Sequence, residues 1–439
     1  MYQRYPLAIL IAALAALSLS AHANVLSDIF TQGHVDGELR GYDFNRLYNA
    51  PGTTDASALS VAALVNLHSG SFGNGFSLTG SFLSANSLGT QPSNQAAIDT
   101  TLMGPTNAVN ALGQGYLQYW HDGFQARAGY QYLDTPWMGS SDSRVLPASY
   151  NAVSASFELT KEWRMLALRS FTWKSRTASG YYQDNQYYPS TFHGDSSYGN
   201  FGGLPATASP AQGTWALGSS YAHEGLKAQA WYYNFLRFAH MGYVDGSYTF
   251  ETGRGPNLFI SAQYIRERSS ADNILVENQV ALFGVTGNRI SNRTWGMDAG
   301  LDIPGGKIEL GYNEMMRTTG AIGDGALISP YTAGYATDPL YTSSMIRGLV
   351  ETGPGHAWKA KLTYHFLNRH LLLITSYARY TTALRGNSHN LYVDLAYRFD
   401  GYLKGLSLRN RWERSVGGRG LNPGNGSFSY NRLMLAYAF

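Results

Sequence analysis

The last eight residues alternate without a break. Leu433, Leu435, Tyr437 and Phe439 fall on one face of an extended chain, and Arg432, Met434, Ala436 and Ala438 on the other. The same two-residue period recurs upstream. Over 124–132, Phe124, Ala126, Ala128, Tyr130 and Tyr132 oppose Gln125, Arg127, Gly129 and Gln131. Over 295–302, Trp295, Met297, Ala299 and Leu301 oppose Gly296, Asp298, Gly300 and Asp302. Over 358–366, Trp358, Ala360, Leu362, Tyr364 and Phe366 oppose Lys359, Lys361, Thr363 and His365. Over 391–399, Leu391, Val393, Leu395, Tyr397 and Phe399 oppose Tyr392, Asp394, Ala396 and Arg398. Each run is close to the 9–11 residues with which a tilted strand crosses a bilayer. An aromatic and aliphatic face backed by a charged or small one is what a wall needs between lipid and water.

About 18 to 20 such runs can be counted, with 278–290 and 342–352 ambiguous. The connections alternate in length. Short turns at 121–123, 160–162, 304–306 and 367–370 fit one side of a membrane, and long segments at 87–111, 134–149, 175–212, 268–279, 318–342 and 417–427 fit the other. The pattern predicts an all-β protein, a transmembrane antiparallel β-barrel, as one domain over 24–439.

Residues 1–23 read as a cleaved secretory leader. Arg4 supplies the positive start, residues 7–19 an apolar run, and Ala21-His22-Ala23 a small-x-small cleavage site. That run is shorter than the ~20 residues of a spanning helix, and no later stretch approaches that length. Composition agrees. Only 14% of residues are charged while 14% are aromatic, too few charges for a large sandwich that must solvate both outer surfaces. The absence of cysteine excludes a lipidated terminus, disulfides and thiolate chemistry. A net charge of +3 gives no reason to expect nucleic acid as a partner.

Several segments resemble the OprD-type outer-membrane porin family, the outer-membrane carboxylate channels. Gly37-Glu38-Leu39-Arg40-Gly41-Tyr42 is similar to that family's first strand. Arg127-Ala128-Gly129, Thr135-Pro136 and residues 140–147 (SSDSRVLP) resemble the approach to its constriction loop. Residues 337–345 (TDPLYTSSM) resemble a long late loop, and 394–399 (DLAYRF) with 403–411 (LKGLSLRNR) the closing hairpin. The resemblance implies an 18-stranded monomer with two inward-folded extracellular loops and a ladder of basic residues down one wall. It implies passive diffusion of small carboxylate solutes, organic acids or amino acids. Lipid, lipopolysaccharide and the barrel-assembly machinery would be the partners, with no cofactor. On these grounds Asp142, Ser143, Arg144, Asp338 and Tyr341 are candidate constriction-loop residues.

Strand parity supplies the ladder independently. Arg409 and Arg411 oppose Leu408 and Trp412; Arg398, Arg432, Lys359, Lys361, Arg127 and Arg40 are inward by the same rule. In a closed barrel the first strand meets the last, which sets Arg40 beside the basic residues of the closing strands. Guanidinium suits the purpose because its fork binds a carboxylate bidentately and stays charged. The opposing reading pairs these arginines with lumen acids such as Asp36, Glu38, Asp394 and Glu413, as braces. Inward Asp298, Asp302 and Glu309, with Asp134 and Asp142, would set an acidic side against the basic wall. The loop tyrosines Tyr181, Tyr182, Tyr187, Tyr188 and Tyr198 would line the mouth or serve only packing. A general diffusion porin is the main alternative. A barrel enzyme such as a phospholipase is the minor one, since the eleven histidines are scattered and no metal-spaced cluster stands out.

Overall fold

The computed structural model describes residues 29–49, 52–140, 143–183, 204, 208–253, 255–331, 338–419 and 427–439. The leader expected over 1–23 lies outside them. The strands in chain order are β1 (His34–Tyr48), β2 (Ala56–His68), β3 (Phe76–Asn86), β4 (Ala108–His121) and β5 (Phe124–Gln131). A two-residue hairpin follows, β6 (Asp134–Thr135) with β7 (Met138–Gly139). Then come β8 (Ser149–Glu158), β9 (Trp163–Lys174), β10 (Thr214–His223), β11 (Leu226–Phe235), β12 (Ala239–Phe250) and β13 (Asn257–Ser269). The remaining strands are β14 (Ser291–Ile303), β15 (Gly306–Met315), β16 (Gly355–Phe366), β17 (Leu371–Thr382), β18 (Gly386–Arg398), β19 (Leu406–Gly417) and β20 (Phe428–Ala438).

Leaving aside the β6–β7 hairpin, 18 strands form one antiparallel sheet in which each pairs with its neighbours in sequence. The sheet closes on itself. Arg40 of β1 stands opposite Ala62 of β2 on one side and Ala436 of β20 on the other. Closure removes every sheet edge, the condition for a β structure in lipid. The turns at the chain-terminal end are tight. Asp122-Gly123 and Glu224-Gly225 have both residues at positive φ (44° and 77°; 44° and 81°), the two-residue turn whose twist matches paired strands. Long connections gather at the opposite rim, at 87–107, 132–148, 175–213, 270–290 and 316–354. By length, the tight rim is periplasmic and the long rim extracellular.

Parity in the strands agrees with the sequence. Leu39, Met297, Leu310, Leu391, Leu395, Leu408, Leu433, Leu435 and Tyr437 are exposed on the outer face, while Arg40, Asp394, Arg432 and Met434 are buried inside. The two ambiguous segments are not wall strands. Residues 278–290 follow a helical turn (Ile274–Glu277), and 342–352 contains another (Leu349–Thr352). Val280, Leu282, Ile290, Leu349 and Val350 are buried in a cluster inside the barrel with Trp137, Tyr233 and Tyr331. An apolar run bound for a packed loop has the same composition as one bound for a strand, so periodicity alone could not separate them.

A lipid-facing position should reject charge. Leu310, 59% exposed near the middle of β15, is the test case. Leu310→Arg should cost roughly 2–4 kcal/mol of folding free energy if it lies near the bilayer midplane. Urea titration of the protein refolded into vesicles measures it, and the parent should migrate faster unboiled than boiled.

Candidate functional site

The wall built by β19, β20 and β1 alternates arginine with aromatic rings. The cross-strand register sets Arg411 opposite Arg432 and Arg432 opposite Phe44. Arg432 is fully buried, its guanidinium carbon 4.8 Å from the Phe44 ring centre and 4.4 Å from that of Tyr430. Arg46 also lies over the Tyr430 ring, 4.2 Å from its centre, and 3.8 Å from Asp99. Phe44 and Tyr430 meet edge to face, ring centres 5.9 Å apart. Each cation thus lies over a ring face, where the quadrupole offsets part of its desolvation. Lower on the wall, Arg409 donates from Nε and Nη2 to both oxygens of Asp394 (2.8 and 2.5 Å). Arg411 donates to the Tyr392 hydroxyl at 2.8 Å.

Extracellular loops fold against the interior in greater number than the two the resemblance implied: 270–290, with Ile274, Leu275, Val280 and Leu282 buried, joins the three whose contacts follow. Residues 132–148 are held from β1, where Arg40 Nη1 donates to the carbonyls of Arg144 (3.2 Å) and Val145 (3.1 Å) while Nη2 donates to Glu38 (2.6 Å). At the loop's β8 end, Lys174 at the close of neighbouring β9 donates to the Pro147 carbonyl, and Arg176 to the Ser143 hydroxyl. Trp137 of the same loop packs edge-on to Tyr243 of β12. Residues 316–354 span from β12 to β19: Tyr341 donates to Asp245 (2.7 Å), and Glu413 accepts from the Ser344 hydroxyl and Met345 amide (both 2.7 Å). Lys359 donates to the Ser343 carbonyl at 2.6 Å. The third loop, 87–107, buries Leu102 and Met103 and bonds Thr101 to Tyr430 at 2.7 Å.

Beside the second loop is a polar recess of about 330 Å³, lined by Asp298, Glu309, Asp338, Tyr341, Lys359 and Lys361. Glu309 is clamped at 2.8 Å by both Lys307 and Lys361. The expected acidic side is therefore interleaved with lysines, because acid and base alternate across β15 and β16 at facing positions. Asp338 accepts from the Leu340 amide and the Ser343 hydroxyl. Burial pushes its carboxyl up despite these bonds and Lys359. Burial, with repulsion from Asp338 and Glu413, pushes Glu351 well above the carboxylate range.

No family model matches the sequence, and no curated protein matches it. Solved structures do. OccK9 (OpdG) of Pseudomonas aeruginosa superposes with a TM-score of 0.75 at 17% identity, over 94% of this chain and 99% of that one. A BenF-like porin from Pseudomonas fluorescens Pf-5 gives 0.74 at 15% identity, over 94% and 99%. OpdK of Pseudomonas aeruginosa, solved with vanillate, gives 0.69 at 15% identity, over 93% and 98%. The fold is that of the OprD-type channels.

Within this OprD-type barrel the expected basic residues do not form one file. Arg40, Arg409, Arg411 and Arg432 share the closing wall. Lys359 and Lys361 stand on β16, three strands away, beside the recess. Arg398 ends β18, exposed at the periplasmic rim. Arg127 departs most: it lies on β5, bonded to Gln118 (2.8 Å) and 5.1 Å from the Tyr116 ring centre. Asp142 and the tyrosines Tyr187, Tyr188 and Tyr198 lie outside the described residues. Ser143, Arg144, Asp338 and Tyr341 all lie on inward-folded loops. Of the acids in the bracing reading, Glu38 pairs with Arg40 and Asp394 with Arg409, whereas among the described residues Asp36 meets Asn66 and two histidines and Glu413 meets the 316–354 loop, near Arg347. Sequence reasoning passed over Arg46 and Arg347. Arg46 shares parity with Arg40 and was legible; Arg347, 5.1 Å from the Phe428 ring centre, sits on a loop with no period to read.

The buried acids predict a pH response. Asp338 and Glu351 have folded-state values above their unfolded ones, so the packing they contribute is complete at low pH and is lost as pH rises through the raised values. Arg347, Lys359, Glu413 and Tyr380 share this cluster and set its background. Amide exchange over 338–354, corrected for intrinsic rate, should show less protection at about pH 8 than at about pH 5. Glu351→Gln should flatten much of that difference.

Proposed function

We propose that this chain is an outer-membrane porin through which small carboxylate-bearing solutes, organic acids or amino acids, diffuse passively. The observation that carries the reading is the wall of β19, β20 and β1, where Arg409 and Arg411 keep access to the lumen on an inner face that also holds the buried Arg40, Arg46 and Arg432. Two of its arginines keep different degrees of access. Arg409 is 37% exposed at the side chain while bound to Asp394, and Arg411 is 13% exposed. A solute carboxylate reaching this wall exchanges hydration for guanidinium contacts already oriented by rings and acids. The binding stays weak enough for exit because Asp394 competes for the same donors. That OpdK was solved with vanillate, an aromatic carboxylate, supports the solute class. One chain closes the barrel, which supports a monomer in lipid and lipopolysaccharide, inserted by the barrel-assembly machinery.

Replacing Arg409 and Arg411 together with Gln keeps length and hydrogen bonding while removing two charges. Uptake of benzoate-like anions into vesicles should fall severalfold at low salt. The deficit should shrink as the Debye length drops from about 10 Å to about 3 Å at high salt. Neutral solutes of equal size should pass as before. A folded double variant that moves carboxylates like the parent favours the general diffusion porin, which sieves by size.

A further inference from the structure

At the periplasmic end of the lumen face, three side chains stand together that the arginine wall does not use. His34 of β1 and His68 of β2 are directly opposed across the strand pair. Their rings stack with centres 4.6 Å apart and planes within 15°. Asp36, two residues along the same face of β1, points one carboxylate oxygen at both. Its Oδ2 is 3.1 Å from His68 Nε2 and 3.7 Å from His34 Nε2. The three donor atoms lie within 4.8 Å of one another, on strands whose spacing the ladder fixes.

Outer partners orient two of the three. Asn66 Nδ2 donates to Asp36 Oδ1 at 2.7 Å, which turns Oδ2 toward the imidazoles. His68 Nδ1 is 3.3 Å from Thr79 Oγ1. An Nδ1–H donating to that hydroxyl leaves Nε2 with its lone pair aimed at a carboxylate oxygen. Two acceptors then face each other at 3.1 Å, an arrangement that a cation between them resolves.

We propose that His34, Asp36 and His68 form a site for a divalent transition-metal ion of the zinc class. Two imidazole nitrogens and one carboxylate oxygen are the donor set of an open tetrahedral zinc site, its fourth position left to water from the lumen. Calcium and magnesium prefer all-oxygen shells, and no thiolate is present to favour softer ions. Ligands at about 2.0–2.2 Å in a tetrahedron lie roughly 3.3–3.5 Å apart. His68 and Asp36, at 3.1 Å, stand just inside that spacing, and His34 and Asp36, at 3.7 Å, just beyond it. His34, with 67% of its side chain exposed, closes the rest by rotation about its own bonds. The rival arrangement has Thr79 donating to Nδ1 and His68 Nε2–H donating to Asp36, a hydrogen bond with no place for metal.

The full chain, purified without a histidine tag and stripped with chelator, is titrated with zinc alone against a chromophoric chelator. One zinc should bind per barrel with micromolar affinity. His34→Gln and His68→Gln should each weaken it at least about tenfold, and Thr79→Val severalfold, as expected for a ligand-orienting neighbour. His389→Gln, on the exposed outer face of β18, should leave it unchanged. Cobalt(II) should develop the intense visible bands of four-coordination in the parent and lose them in His34→Gln, which alters only an exposed side chain. Heat-modifiable migration establishes that each variant is folded. A folded parent that takes up no zinc at micromolar concentration, or a His34→Gln/His68→Gln variant binding as tightly as the parent, overturns the proposal.

Discussion

Backbone hydrogen bonding in a medium without water governs the rest of this structure. Lipid offers no partner to an amide or carbonyl, so each wall strand must be paired on both sides, and the last strand must find the first. The β1–β20 register does this, and it also places chemistry. With Arg40 opposite Ala436, Phe44 meets Arg432 and Arg46 meets Tyr430. A slip of one residue would turn the β20 side chains around, sending Arg432 to lipid and Leu433 into the lumen. Closure and the arginine wall are thus one constraint seen from two faces.

The buried cations are tolerable because they are layered. A guanidinium is weakly hydrated, planar and suited to stacking, so Arg46, Arg432 and Arg411 are held over tyrosine and phenylalanine faces. Lysine, a compact and strongly hydrated charge, depends more on ion pairs, although Lys307 Nζ also lies 3.8 Å from the Phe259 ring centre. On β15 and β16 lysines are paired with Glu309 or spent on a loop carbonyl. The two basic regions therefore differ physically. One presents oriented forks, and the other is a locally neutral mesh that stiffens the wall beneath the 316–354 loop.

Much of the wall was legible in the sequence, because a period of two exposes both faces at once. Parity put Arg409, Arg411, Arg432 and Arg40 inside, and neighbourhood in a closed sheet put them together. The interior of the loops was not legible. The segment around Leu349 and Val350 has the composition of a strand and the environment of a core. The inward 87–107 loop, anchored through Thr101 and Asp99, carries no repeating pattern to announce it. Arg127 has the same parity as the closing-wall arginines but lies on a strand that cannot reach them, which parity alone cannot say. The His34, Asp36 and His68 group shows the same limit: only register brings residues 34 apart into contact.

The 132–148 loop is fastened chiefly through its main chain. Arg40 grips the carbonyls of residues 144 and 145, and Lys174 that of residue 147. A carbonyl is supplied by every amino acid. Freedom to diversify is confined to the side chains this stretch leaves accessible, such as Asp134, Pro136 and Ser140, because Trp137, Met138, Arg144, Val145 and Leu146 are buried. A grip on the main chain thus leaves those few positions open to change without loosening the loop from the wall.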